Sequence, residues 1–138
     1  MACVFCDIVA GTTPAHRVFE DEACVGFLDA RPVFPGHVLV IPRRHLATLE
    51  DLPRELVAPL FGVVQRVARG VEAALAADGT FVALNNKVSQ SVPHLHVHVV
   101  PRRKKDGLRG FFWPRNKYAS DDDAARVGEL IRGAIASA

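Results

Sequence analysis

The segment Gln90-Ser91-Val92-Pro93-His94-Leu95-His96-Val97-His98-Val99-Val100 constrains the fold more than any other stretch. His94, His96 and His98 alternate strictly with Leu95, Val97 and Val99. That is the two-residue period of a strand, so three imidazoles share one face while the apolar residues enter a core. Histidines two apart on a strand are separated by about 6.6 Å along the backbone, too far to pair directly and close enough to act on different atoms of one small ligand. A solvated strand face accounts for one histidine. Three in register, with Gln90 and Ser91 just before them, point to chemistry, because neutral imidazole is both a nucleophile and a metal ligand.

With 138 residues, 49% of them hydrophobic, the chain has material for one compact core, and a single domain over residues 1–138 is expected. Its 17 basic and 15 acidic residues leave a formal charge of +2, which gives no general drive toward nucleic acid or an anionic membrane. Arg102-Arg103-Lys104-Lys105 is a local basic run directly after the histidines, where a phosphate-rich substrate would feel it. No apolar run approaches the roughly 20 residues of a membrane span, and no secretory pattern opens the chain, so a cytoplasmic location is expected. Cys3-x-x-Cys6 and Cys24 make an odd count that fits reduced thiols or metal ligation better than a disulfide scaffold.

The remaining elements follow from periodicity and breakers. Cys3 to Ala10 reads as a knuckle with a short helical turn before Gly11. Val18 to Glu20 and Ala23 to Asp29 read as a hairpin around Asp21-Glu22, with Val25, Phe27 and Asp29 on one face. His37 to Ile41 is a third strand, and its unbroken apolar run suggests a central strand covered on both sides and ended by Pro42. Leu56, Leu60, Val64, Val67, Val71 and Leu75 give an amphipathic main helix between Asp51 and Ala76. Pro59 predicts a kink or a start near Ala58, and Gly79 is the expected C-terminal cap. Phe81 to Leu84 is a fourth strand. Ser120 followed by three aspartates opens a last helix whose buried stripe is Val127, Leu130, Ile131 and Ile135.

His94-Leu95-His96-Val97-His98-Val99-Val100 resembles the signature of the histidine triad (HIT) superfamily, in particular zinc-containing bacterial nucleotide hydrolases similar to the Hint and fragile-histidine-triad branches. The resemblance covers nearly the whole chain. It extends to Cys3-x-x-Cys6, Phe27-x-Asp29, Pro35-Gly36-His37-Val38-Leu39-Val40-Ile41-Pro42 with His45 beyond it, and Asn85 ahead of Gln90-Ser91. It implies an α+β fold with an antiparallel sheet of about five strands, one main helix and a C-terminal helix, in a homodimer. It also implies cleavage of a phosphoramidate or phosphoanhydride at the α-phosphate of a purine nucleoside monophosphate, such as an AMP conjugate. His96 would be the nucleophile that carries the nucleotidyl group. About three quarters of unperturbed imidazoles are neutral at pH 7, and a carbonyl accepting the other ring N–H would fix the tautomer.

Gln90, Ser91 and His98 flank the nucleophile and can donate to phosphate oxygens, as phosphoryl transfer requires. The resemblance adds Asn85 as a phosphate contact, Ser91 as proton donor to the leaving group and Asp29 as acceptor from the ribose hydroxyls. It also makes Phe5, Ile8 and Phe27 the base slot. Zinc-bearing branches bind their metal at the positions of Cys3, Cys6, His45 and His94, a Cys₂His₂ set suited to a closed structural zinc site. His94 would then scaffold, His96 attack and His98 bind phosphate, with Cys24 buried and inert. Residues 85 to 89 lack the glycines common there in the family, which leaves the phosphate contact to either Asn85 or Asn86, and the run Gly110-Phe111-Phe112-Trp113-Pro114 is not general to it. By resemblance that run would lie near a partner's active site. Hydrolysis of dinucleoside polyphosphates and a nucleotide-sensing or protein-binding role are the alternatives to a phosphoramidase.

Overall fold

The computed structural model describes residues 2–109 and 115–137. The aromatic run from Gly110 to Pro114, with the partner-facing role expected of Trp113, lies outside them. Met1–Asp106 form one compact unit and Gly107–Ala138 a second.

The first unit is a five-stranded sheet with two helices, and the architecture is the expected α+β. The strands β1 (Arg17–Glu20), β2 (Cys24–Leu28), β3 (Val38–Pro42), β4 (Gly79–Ala83) and β5 (Val97–Arg102) stand in the order β1-β2-β3-β5-β4. All neighbours are antiparallel. Alternation along each strand feeds two cores. Cys24, Val38, Val40, Leu95, Val97 and Val99 face the helix α2 (Arg54–Leu75), which supplies Leu60, Val63, Val64, Val67 and Val71. Val25, Phe27, Leu39 and Ile41 face the other way, against Phe5 and Ile8 of the short helix α1 (Val4–Ala10). Every residue of β3 is buried. Each of its four aliphatic side chains contributes roughly 1.5–3 kcal/mol by leaving water, so this strand is the spine of the unit.

Two turns fix the approach to the site. Asp21 caps the β1–β2 hairpin, its Oδ1 accepting from the Ala23 and Cys24 N–H groups at 2.9 and 2.8 Å. Between β2 and β3, Gly36 has φ +98°, and a Cβ there would run into the Leu75 side chain at the end of α2. The positive φ is what favours glycine, since the tip of the Leu75 side chain can move aside.

The structure corrects several element boundaries. α2 runs without interruption from Arg54 past Pro59. Pro59 and Glu55 both lie on the exposed face, where water can serve the carbonyl that proline leaves without a donor. The helix is capped by Ala76 in the left-handed region (φ 50°), its N–H donating to Glu72 O, while Gly79 opens β4. β5 begins only at Val97, because β3 ends in a proline and the Pro42 carbonyl is taken by the His94 ring (2.8 Å) instead of by a ladder partner. Leu95 still enters the core, its N–H donating to Leu46 O at 2.6 Å.

The second unit contains α3 (Asp121–Ser137), opened by Ser120, whose Oγ accepts from the Asp123 N–H at 3.1 Å. Its expected buried stripe is not buried: Leu130, Ile131 and Ile135 are 63%, 54% and 69% exposed. Among the described residues of the second unit α3 is the one helix, so that unit itself supplies no second layer to cover an apolar face. Among the described residues no helix is long and apolar enough to cross a membrane.

Candidate active site and metal centre

His94 and His96 are buried, and His98 is half-buried at the start of β5. A solvated strand face is thereby excluded. The hydrogen bonds of these rings assign their protons, because a backbone carbonyl only accepts and a backbone N–H only donates. His96 Nδ1 lies 2.8 Å from the His94 carbonyl oxygen, so Nδ1 carries the proton and Nε2 keeps its lone pair. His94 Nε2 lies 2.8 Å from Pro42 O, which puts its proton on Nε2 and leaves the Nδ1 lone pair free for a metal.

His98 is set by a residue that the sequence reading did not single out. The Val33 N–H donates to His37 Nδ1 at 3.1 Å, so His37 holds its proton on Nε2 and gives it to His98 Nδ1 at 2.9 Å. His98 is left with an Nε2–H donor. Burial, reinforced by the neighbouring His96 and His37 rings, pushes the His98 pKa down to about 4. His37 is lowered chiefly by burial as well, against the opposing pull of Asp29, whose Oδ2 is 3.7 Å away. Both rings are thus neutral donors near pH 7. The motif Pro-Gly-His held the only signal for His37, and its place at the head of an apolar run made it read as a strand boundary.

A cavity of about 930 Å³ opens beside these rings. Seven of the expected residues line it: Phe5, Ile8, Phe27, Asp29, Ser91, His96 and His98. Phe5 sits edge-on to Phe27 and to His96, with ring centres 5.4 and 5.1 Å apart, so α1 supplies one apolar wall. Asp29 is oriented by the Arg31 N–H, which donates to its Oδ1 at 2.8 Å. Leu39 and Arg31 line the cavity too.

Asn85 and Gln90 are not brought to it. The Gln90 amide is used at both ends, Nε2 donating to Ala47 O at 2.6 Å and Oε1 accepting from the Lys87 N–H at 2.9 Å. Asn85 Nδ2 donates to Ser89 O at 3.2 Å, and Asn86 Oδ1 accepts from the Leu49 N–H at 2.9 Å. Gln90 and Asn86 tie the loop to Ala47 and Leu49, and Asn85 closes it on itself. Lys87 and Ser89 have φ values of 72° and 60°, the backbone conformation for which glycine is the usual choice.

Cys3, Cys6, His45 and His94 bring one ligand atom each within 4.8 Å of one another. Sγ of Cys3 and of Cys6 lie 3.5 and 3.6 Å from His94 Nδ1, and Cys6 Sγ lies 3.3 Å from His45 Nδ1. A tetrahedral zinc with ordinary Zn–S and Zn–N bonds separates such atoms by about 3.5 Å, so the set fits zinc in donor type and in spacing. Burial, and then the Cys3 thiol beside it, hold the Cys6 thiol above its ordinary pKa. A divalent cation reverses that balance.

A short antiparallel sheet whose buried histidines close one end of a ligand-sized cavity defines a class of small α+β folds with a histidine-lined site. The chain belongs to one family of that class, the histidine triad family, and residues 10–105 match the HIT domain. An uncharacterized HIT-like protein of Mycobacterium tuberculosis is 40% identical over 141 residues, covering 99% of this chain and 94% of the relative. The adenosine 5'-monophosphoramidase of Saccharomyces cerevisiae is 34% identical over 138 residues, 98% of this chain and 82% of the yeast protein. Among solved structures, a Zn-bound histidine triad family protein from Mycobacterium smegmatis superposes with a TM-score of 0.75 at 43% identity, covering 96% of this chain and 98% of the other.

Proposed function

We propose that this protein hydrolyses a phosphoramidate or phosphoanhydride at the α-phosphate of a purine nucleoside monophosphate, through a nucleotidyl group carried on His96. The observation that carries the proposal is the His96 ring, with Nδ1–H donated to the His94 carbonyl and the Nε2 lone pair left to a side chain that lines the cavity. In the reading, Nε2 attacks the α-phosphorus in line and the bond to the leaving group breaks, its proton supplied by Ser91. Water then attacks phosphorus and cleaves the nitrogen–phosphorus bond, its proton restoring the Ser91 hydroxyl, and the free ring returns. His98 Nε2–H donates to the developing charge on a non-bridging oxygen, a stronger interaction in a site shielded from water. Asp29 accepts from the ribose, and Phe5, Ile8 and Phe27 hold the base. The yeast relative's name supports a phosphoramidate as substrate.

Zinc on Cys3, Cys6, His45 and His94 has a structural role in this reading, holding α1 to the end of β3 and to the histidine segment. The protein is read as cytoplasmic and as a homodimer. The latter is supported by β4 at a sheet edge with Val82 exposed there, beside α2 with Val57 exposed.

The test mixes the protein with an adenosine phosphoramidate, quenches in acid-free denaturant and measures intact mass. One nucleotidyl group on His96 is expected. His96→Ala should lower kcat/KM by about 10³-fold or more while AMP still binds. Wild-type turnover in that variant would overturn the mechanism.

A further inference from the structure

Cys3 and Cys6 have a second chemistry written into their positions. Cys3 is the N-cap of α1, and its Sγ accepts from the Cys6 N–H at 3.4 Å. An N-cap residue and the third residue of the helix have Cα atoms about 5–6 Å apart, inside the range a disulfide spans without moving the backbone. Their sulfur atoms already lie within 4.8 Å of each other. Both cysteines are partly exposed and His45 beside them is exposed, so a small oxidant reaches the sulfur atoms. Cys24 is 1% exposed, with its thiol held up near 11 by burial, and cannot compete.

We propose that Cys3 and Cys6 form a redox modification site, oxidised by hydroperoxides to a disulfide with release of the bound metal. The step balances. One thiolate attacks the peroxide, taking one oxygen as sulfenic acid and releasing water, or an alcohol from an organic peroxide. The second thiolate attacks the sulfenic sulfur and expels hydroxide, which takes up a proton. In sum, two thiolates, one hydrogen peroxide and two protons give one disulfide and two waters. Two of the four metal ligands are consumed, and the remaining His45 and His94 do not make a closed site.

The consequence falls on the cavity through α1, which carries Cys6 next to Phe5 and two residues before Ile8. Both of those side chains line the cavity wall. Metal release, not the disulfide itself, unties α1 from His45 and His94 and loosens that wall, and reduction followed by metal restores it. For this consequence, and not for the oxidation itself, the inference rests on the nucleotide reading above.

The experiment uses the protein as purified. Hydrogen peroxide is added in steps, metal release is followed with a chromogenic zinc indicator, and peptide mapping locates the oxidised residues. AMP affinity is measured by calorimetry before oxidation, after it, and after a thiol reductant with zinc. One metal ion released per Cys3–Cys6 disulfide is expected, with AMP affinity weakened by roughly tenfold or more and then restored. Cys24→Ser should behave identically. The inference is overturned by protein that carries no metal, by metal retained after peroxide, or by Cys3 and Cys6 found as separate sulfinic acids or paired with Cys24. If the disulfide forms and metal leaves while AMP binds in neither state, the modification site stands and the nucleotide reading falls.

Discussion

His37 determines where His98 keeps its proton, yet it does not itself line the cavity. It is a positioning residue. His37→Ala frees the His98 tautomer and should lower kcat by roughly 10- to 100-fold with little change in AMP affinity, read from steady-state kinetics and calorimetry. An unchanged kcat would return His37 to packing. The neutrality of His98 also makes stability depend on pH. Its pKa is about 4 when folded against 6.5 in a free ring. Between those values the unfolded chain binds a proton that the folded chain refuses, so stability rises with pH through the window and is lost as pH falls from 6.5 toward 4. The loss at the acid end is about 1–3 kcal/mol once solvent screening of this half-buried ring is allowed for. His98→Asn should therefore lose less stability than the parent when denaturant unfolding is compared at neutral and mildly acid pH. His37, also lowered, adds to the slope with the same sign.

Two loops hold these residues in place, and each makes a prediction. Gly36 has a left-handed φ of 98°, and a Cβ there would push the tip of the Leu75 side chain aside. Gly36→Ala should cost about 1–3 kcal/mol in chemical denaturation. Gln90 joins Ala47 to Lys87, so Gln90→Ala should lower stability by about 1 kcal/mol, where a phosphate ligand would chiefly raise KM. The two loops show what the sequence could and could not convey. Val38 to Ile41 and the three- and four-step stripe of α2 were legible because one core imposes one period on each. The bonds of Gln90 were not legible because its partners are fixed by packing between loops 43 positions apart. His37 escaped notice because its role appears only when β3 pairs with β5 and Leu39 stands opposite His98. Ala76 took the cap expected of Gly79 because β4 recruits that glycine.

At the scale of the first unit, Cys3, Cys6, His45 and His94 bring distant chain segments together at one point. These residues come from the start of α1, the loop after β3 and the approach to β5. Elemental analysis should find about one zinc per chain, and strong chelation should lower the melting temperature by several degrees or more. The apolar stripe of α3 should behave otherwise: with Leu130 and Ile135 already exposed, Leu130→Lys together with Ile135→Lys should change unfolding stability by no more than about 0.5 kcal/mol. At the metal centre, His94 serves two masters with separable parts. Its ring faces the thiols, while its main-chain oxygen holds the His96 proton. A codon change at that position replaces the ring and leaves the oxygen where it is. Over generations a metal can drop out of such a chain while the acceptor for the His96 proton is inherited intact, so the two traits need not share an evolutionary fate.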